Sequence, residues 1–196
     1  QALVAPGPEP CSAEAPAGVW QRALRPDAAM ALWLAVDASD RPDGSALRAA
    51  RWTVPFGVPI FGINIGRVGF LSEATPDNWP EKLERVLQGD YWTERRLLLY
   101  AELWRDGALL KPFTALNEVV IGRGAQARVI HLHLRVDGDL VTPYIADALI
   151  VATPTGSPAC AMAAGGPLMP PQLQNLVIVP VAAHLSLNRS RVLHEN

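Results

Sequence analysis

Apolar runs alternate with helix-favouring stretches in the first part of the chain. Residues 19–37 contain the run MALWLAV, which predicts a buried strand, and VPIFGINIG at 58–66 predicts a second one. Between them, ALRAAR at 46–51 consists of strong helix formers. DNWPEKLERVLQ at 77–88 predicts another helix, which we expect to end at Gly89. This alternation of strand and helix predicts an α/β layer.

The pattern changes near residue 92, where short apolar runs are separated by Gly, Asp and Pro. Two such runs flank Asp106-Gly107, a strong hairpin signal. Further strand patterns follow at 114–124, 129–145, 147–153 and 173–193. The sequence therefore predicts three parts, listed here in chain order: a loose Pro-rich arm (1–18), an α/β domain (19–91) and a β-rich domain (92–196).

Composition narrows the class of protein. Apolar residues make up 49% of the 196 residues and charged residues 18%, which favours a folded chain with a sizeable core. The net charge of -2 and the short apolar runs predict neither a nucleic-acid partner nor a membrane span. Two cysteines, Cys11 and Cys160, are a poor disulfide framework, and residues 1–19 lack a signal-peptide pattern. These features predict a cytoplasmic protein.

A stretch of small residues follows the apolar run that ends at Pro154. Thr155-Gly156-Ser157 forms a turn signal, and Gly165-Gly166 precedes a proline. Because glycine has no Cβ, such a turn lets backbone N–H groups approach an anion or a nucleotide. A tight connection between a strand and a helix, without a ligand, explains the same residues. The turn alone favours the second interpretation.

Other stretches change this balance because they resemble the NAD kinase family, whose members phosphorylate the adenosine 2′-hydroxyl of NAD. The resemblance covers residues 35–193. It is carried, in order, by PIFGINIGRVGFLSE (59–73), ALNEVVIGR (115–123), DALIVATPTGSPACAMAAGGP (147–167) and IVPVAAHLSLNRSRVL (178–193). The segment DGSALRAAR (43–51) also matches the end of the family's Gly-Gly-Asp-Gly-Thr loop and the helix that follows it.

The resemblance implies a fold and an activity. The expected fold is α/β plus all-β, with a shortened N-terminal nucleotide-binding domain and a C-terminal β-sandwich-like domain, truncated at its end. The expected reaction transfers the γ-phosphate of ATP to NAD and gives NADP. Mg²⁺ or another divalent cation would arrive with ATP and need no protein ligand. The family also implies a homodimer or homotetramer.

The resemblance further implies roles for particular residues. Asp43 would accept the proton of the 2′-hydroxyl, next to a phosphate loop formed by Gly44, Ser45 and Arg48. Asn117 and Glu118 would hold the nicotinamide-side ribose. The other NAD contacts would be Asp147 at the nicotinamide end, Thr155 and Ala159 along the pocket, and Phe70 near the adenine.

Two stretches depart from the family pattern. Arg41 and Pro42 stand where the family has the two glycines that wrap the phosphates of ATP. Neither residue adopts the full range of glycine conformations, and proline has no N–H donor. Pro158 and Cys160 replace a threonine and a tyrosine, so the aromatic face that packs on the dinucleotide is absent at position 160.

Several residues also have an ordinary structural explanation. Asp43 and Asp147 suit turns, Asn117 and Glu118 suit a strand edge, and Phe70 suits a core. His131 and His133 share one strand face, where solvent exposure is favoured over zinc binding. Cys160 with His184 is a weak signal for a nucleophile.

The sequence is compatible with three functions. They are an ATP-dependent NAD kinase, a non-catalytic homologue that binds the dinucleotide, and a lipid kinase of the related diacylglycerol-kinase superfamily. Arg41 and Pro42 favour the second function, whereas Asp43, Asn117, Glu118 and Asp147 favour the first.

Overall fold

A computed structural model describes most of the chain. The described residues are 19–22, 32–37, 44–64, 71–124, 128–184 and 190–194. The expected arm at 1–18, the segment Arg41–Asp43 and Phe70 lie outside them. The chain divides into two compact units, residues 1–93 and 94–196.

The described residues of the first unit form a small sheet and two helices. Strands β1 (Val19–Arg22), β2 (Leu32–Asp37) and β3 (Ile60–Asn64) form a sheet in the order β1-β2-β3. Strand β1 runs antiparallel to β2, and β2 runs parallel to β3. Helix α1 (Gly44–Thr53) connects the two parallel strands, so the predicted α/β layer is confirmed.

Helix α1 buries a face of small side chains. Ala46, Ala49 and Ala50 are all buried, at the i, i+3, i+4 spacing of one helix face. The Thr53 hydroxyl donates to the carbonyl of Ala49 at 3.1 Å, and a single turn (Val54–Phe56) then leads to Gly57 at φ 62°. Alanine side chains allow this helix to lie close to β2 and β3.

Helix α2 (Trp79–Leu87) completes the core of the first unit. Its Val86 and Leu83 contact a buried cluster that includes Phe61 and Ile63 of β3. Gly89 follows the helix at φ 81°, so the predicted stop is confirmed.

Two hairpins belong to the second unit. The first joins β4 (Leu99–Arg105) to β5 (Ala108–Ala115), and the second joins β7 (Ile130–Val136) to β8 (Asp139–Ala146). The two-residue turns have positive φ throughout: 50° and 76° at Asp106-Gly107, and 52° and 91° at Asp137-Gly138. Such Asp-Gly turns match the right-handed twist of the strands, and the predicted hairpin at Asp106-Gly107 is confirmed.

A four-stranded antiparallel sheet forms the centre of the second unit. Its order is β11-β10-β9-β6, and the strands are β6 (Glu118–Gly122), β9 (Ala148–Ala152), β10 (Asn175–Val181) and β11 (Arg191–His194).

Side chains from both faces of this sheet are buried. Ile150 and Val179 belong to one cluster, which also contains Ala161 and Met169 from the segment between β9 and β10. Leu149 and Ile178 point the other way and contact Tyr144 of β8. The second unit is therefore all-β with layered packing, as predicted.

Candidate functional site

A buried turn follows β9. Thr153 and Ser157 are fully buried, and Thr155 is 5% exposed. The chain then forms a single wide helical turn (Ser157–Ala161) with Pro158 near its start. Proline is tolerated there because the first N–H groups of a helix have no partner within it. The departure from the family pattern at Pro158 is therefore compatible with this turn.

Backbone hydrogen bonds join this turn to the start of β6. The Thr153 N–H donates to the Asn117 carbonyl at 2.8 Å, and the Thr153 hydroxyl donates to the Leu116 carbonyl. The Gly156 N–H donates to both the carbonyl and the hydroxyl oxygen of Thr153, each at 3.1 Å. The turn therefore lies in a fixed position beside Asn117 and Glu118.

Position 156 requires a glycine because the backbone of Asn117 lies against it. A Cβ at this position would come within 2.2 Å of the Asn117 carbonyl oxygen, so no other residue fits without a shift of the backbone. Gly166 is also confined, since a Cβ there would lie 2.7 Å from Val179 Cγ2. These two glycines serve close packing within the protein.

The Ser157 hydroxyl also forms hydrogen bonds within the protein. Its hydroxyl donates to the Pro154 carbonyl at 2.8 Å and accepts from the Met169 N–H at 2.9 Å. With the side chain fully buried, this hydroxyl closes the turn onto the segment that leads to β10.

Asn117 and Glu118 present polar atoms without partners. Asn117 Oδ1 and Glu118 Oε2 are buried and form no hydrogen bond within the described part of the chain. A buried polar atom without a partner typically costs about 1–3 kcal/mol, so such atoms mark a place where another group is expected. Both are acceptors, the carboxylate when ionised, and they suit a ligand that brings hydroxyl or N–H donors.

The Cys160 thiol interacts with the Glu118 carboxylate. Hydrogen bonding to Glu118, with desolvation and the negative charge of the carboxylate as smaller causes, raises the pKa of the exposed thiol. A raised pKa keeps the sulfur protonated, whereas a nucleophilic cysteine needs a thiolate. The raised pKa therefore disfavours Cys160 as a nucleophile.

Alkylation of Cys160 tests this contact. In a Cys11→Ser background, we expect Glu118→Gln to speed the reaction of Cys160 with iodoacetamide at pH 8, because loss of the carboxylate lowers the thiol pKa and raises the thiolate fraction. Mass spectrometry of the modified peptide over time measures the rate. An equal or slower reaction in the variant would contradict the interaction.

Asp147 lies between β8 and β9 and has a partner that the sequence did not suggest. Its N–H donates to the Val181 carbonyl at 3.0 Å, and its carbonyl accepts from the Arg123 N–H at 3.2 Å. Arg123 Nη1 is 3.5 Å from Asp147 Oδ1, and both side chains are partly exposed. These hydrogen bonds fix the backbone of Asp147, while its carboxylate stays partly exposed and accessible to a ligand.

Thr155 also has a partner that the sequence did not suggest. Arg96 Nη1 is 3.4 Å from Thr155 Oγ1, and Arg96 Nη2 is 2.6 Å from Glu94 Oε2. The other carboxylate oxygen of Glu94 accepts from Gln172 Nε2 at 2.8 Å. Ala159, by contrast, is partly buried and has non-helical angles (φ -90°, ψ -124°) inside the wide turn.

The site residues predicted in the first unit are described in part. Gly44 and Ser45 begin α1, and Arg48 is exposed on it. Asp43 and Phe70 lie outside the described residues, so their roles stay predictions.

The two histidines of β7 are exposed to solvent. His131 and His133 are exposed on one face of that strand. Within the described ranges, no three His, Cys, Asp or Glu side chains form a group able to hold a metal ion. In the same ranges, no helix has the length and apolar character that a membrane crossing requires.

Two family models match the chain. The ATP-NAD kinase N-terminal domain matches residues 41–91, and the ATP-NAD kinase C-terminal domain matches residues 116–196. Together these segments cover more than half of the chain.

Curated relatives agree with the family models. A protein named NAD kinase from Chloroflexus aurantiacus is 46% identical over 154 residues, which are 79% of this chain and 56% of the relative. An NAD kinase from Polaromonas sp. is 41% identical over 153 residues, 78% of this chain and 53% of the relative. The chain thus spans just over half the length of these relatives.

Solved structures show a similar fold. An NAD kinase from Archaeoglobus fulgidus in complex with ATP matches with a TM-score of 0.63 at 31% identity, over 83% of this chain and 61% of that chain. Yeast NADH kinase complexed with NADH matches with a TM-score of 0.74 at 24% identity, over 83% and 47%. The fold places the chain among proteins that combine an α/β unit with an antiparallel β unit. With both family models matched in order, the chain belongs to the NAD kinase family.

Proposed function

We propose that the protein transfers the γ-phosphate of ATP to the adenosine 2′-hydroxyl of NAD. The observation that carries the proposal is the pair of buried acceptors without partners in the described structure, Asn117 Oδ1 and Glu118 Oε2, beside the turn after β9. Ribose hydroxyls are donors that would satisfy both atoms. The names of the curated relatives support the same reaction, and so do the NADH and ATP bound in the two solved structures.

In this proposal the β-rich unit holds the dinucleotide. Asn117 and Glu118 bind the nicotinamide-side ribose, and the partly exposed Asp147 carboxylate binds the nicotinamide end. The proposal also assigns Thr155 and Ala159 to the dinucleotide pocket, and Phe70 stays a predicted contact of the adenine. Fixing the hydroxyl for attack removes an entropic part of the barrier, since the reacting atoms are already positioned.

The first unit supplies the phosphoryl-transfer groups in the same proposal. Asp43 accepts or orients the proton of the 2′-hydroxyl, because a hydroxyl of high pKa is otherwise a poor nucleophile. Gly44, Ser45 and Arg48 contact the ATP phosphates; the exposure of Arg48 leaves its guanidinium accessible. Mg²⁺, bound with ATP, supplies charge neutralisation at the phosphates.

A protein that binds NAD without turnover is the second candidate function. Arg41 and Pro42, in place of two glycines, favour it. Incubation with NAD, ATP and Mg²⁺, read by an NADP-specific dehydrogenase, separates the two functions when calorimetry of NAD binding is run alongside. The proposal expects both binding and NADP. Binding without NADP would support the second function, and the absence of binding would contradict both.

The buried acceptors give a direct prediction for binding. We expect Asn117→Ala to weaken NAD binding by about 1–3 kcal/mol, because the ligand hydroxyl loses its partner. Calorimetry measures the change, and circular dichroism checks that the variant is folded. The matched control is Asn175→Ala, whose amide donates to the Leu193 carbonyl on the neighbouring strand β11. Unchanged affinity in a folded Asn117→Ala variant would remove this residue from the site.

We also propose that the protein is at least a homodimer, as the family resemblance implies. The β4–β5 hairpin supports this, because large apolar side chains on it are exposed: Tyr100, Leu103, Trp104, Leu110 and Phe113. Burying them against a second copy would remove this surface from water.

Light scattering tests the assembly. At micromolar concentration we expect a mass of at least two chains, and we expect Leu103→Glu with Trp104→Glu to shift it to one chain, since charges oppose burial at an apolar contact. A monomer before substitution would contradict the proposed dimer.

A cytoplasmic location belongs to the proposal as well. Cys160 is a free, exposed thiol in the described part of the chain, which is compatible with a reducing compartment.

A further inference from the structure

Four side chains, one of them Thr155 in the turn after β9, form a linked cluster. Gln172 donates to Glu94 Oε1 at 2.8 Å, Arg96 donates to Glu94 Oε2 at 2.6 Å, and Arg96 Nη1 lies 3.4 Å from Thr155 Oγ1. The side chains of Arg96 and Glu94 are 25% and 20% exposed, so the ion pair is largely shielded from water. The cluster connects the start of the β-rich unit, the turn and the segment before β10.

The contact with Arg96 determines how the Thr155 hydroxyl is used. A guanidinium has donors and no acceptor, so Thr155 Oγ1 must accept from it. The hydroxyl proton then points elsewhere, and among the described residues this hydroxyl donates no hydrogen bond. Thr155 is 5% exposed, so its hydroxyl has little water to bond instead. This proton is therefore available to an acceptor on a ligand.

We infer that Arg96 is a positioning residue, which acts through Thr155 to set the direction of its hydroxyl proton toward an acceptor oxygen of the bound dinucleotide. Glu94 holds the guanidinium and offsets its charge, and Gln172 holds the second oxygen of Glu94. The inference rests on the proposed function, because Thr155 is assigned to the dinucleotide pocket there.

Coupling between Arg96 and Thr155 distinguishes this role from a purely structural one. Arg96→Met removes the donor, and Thr155→Val removes the hydroxyl at nearly constant shape. We expect each single variant to raise the Kd for NAD by about 3- to 10-fold, the scale of one net hydrogen bond. If Arg96 acts through Thr155, the double variant binds about as weakly as Thr155→Val alone.

The experiment is a double-mutant cycle of NAD binding by calorimetry on the full chain, with thermal unfolding of each variant. Arg135→Met is the matched control, since Arg135 Nη1 donates to the Gly138 carbonyl in the exposed β7–β8 turn. Arg96→Lys keeps the positive charge without the fork of donors, so we expect it to bind more weakly than the parent.

The outcomes are separable. If the parent binds NAD and the effects of Arg96→Met and Thr155→Val multiply, Arg96 acts independently of Thr155 and the inference is wrong. If Arg96→Lys binds NAD as tightly as the parent, the positive charge alone is sufficient, and this result would also overturn the inference. If Arg96→Met binds NAD like Arg135→Met, Arg96 has no role at the site. If the parent fails to bind NAD, the proposed function fails first, and the inference fails with it.

Discussion

The variant Arg41→Gly/Pro42→Gly is expected to form NADP on the order of 10²-fold faster than the parent chain, with little change in NAD affinity. The scale is that of losing or restoring one transition-state donor in other enzymes. Glycine returns a backbone N–H at position 42 and the conformational freedom to wrap phosphates. Because the proposal assigns these contacts to the transferring phosphoryl group, we expect the substitution to change the rate of NADP formation and not the affinity for NAD.

The rate is measured with saturating NAD over a range of ATP concentrations, and calorimetry measures NAD affinity. The single variant Pro42→Ala is the control, since it restores the N–H without the freedom of glycine. The opposite idea is that the Arg41 guanidinium itself contacts the phosphates. A double variant that is slower and binds ATP more weakly would support that idea and contradict the expectation, while the family membership would stand.

The second large effect is expected at Asp43. Asp43→Asn should lower the rate of NADP formation by on the order of 10²–10⁴, the usual contribution of a general base, because an amide cannot accept the proton of the 2′-hydroxyl. In the Arg41→Gly/Pro42→Gly background, the same change should remove the gain. NAD affinity is expected to stay near that of the parent, because the proposal assigns this carboxylate to the reacting hydroxyl and to no other part of the dinucleotide.

Asp77→Asn is the matched control, because Asp77 is an exposed carboxylate that precedes α2. It should leave the rate unchanged. A folded Asp43→Asn variant with the parent rate would show that Asp43 is an ordinary turn residue, the alternative that its place before Gly44 also allows.

Local signals in the sequence predicted much of the fold. Asp106-Gly107 forms the expected hairpin turn with positive φ at both residues, and Gly89 ends the expected helix. These features depend on a few neighbouring residues and on backbone conformations that glycine and aspartate favour. Strand β1 (Val19–Arg22) was not predicted from the sequence. It is short, and it forms by pairing with β2, which lies further along the chain, so its own residues carry little strand signal.

Side-chain partners in the site were harder to predict. Arg96 and Thr155 are 59 residues apart in sequence, and Arg123 meets Asp147 only because β6 pairs with β9. Such contacts depend on the register of distant strands, which local patterns do not contain. The small residues of the turn also suggested room for a ligand, whereas Gly156 and Ser157 serve packing against Asn117 and Met169.

The most direct test of the proposed reaction is the position of the new phosphate. NAD, ATP and Mg²⁺ are incubated with the purified chain, and the product is examined by phosphorus NMR and compared with authentic NADP. The proposal predicts a phosphomonoester on the adenosine 2′-oxygen, formed in step with ADP. ADP without a phosphorylated dinucleotide, or a phosphate on another oxygen, would contradict it.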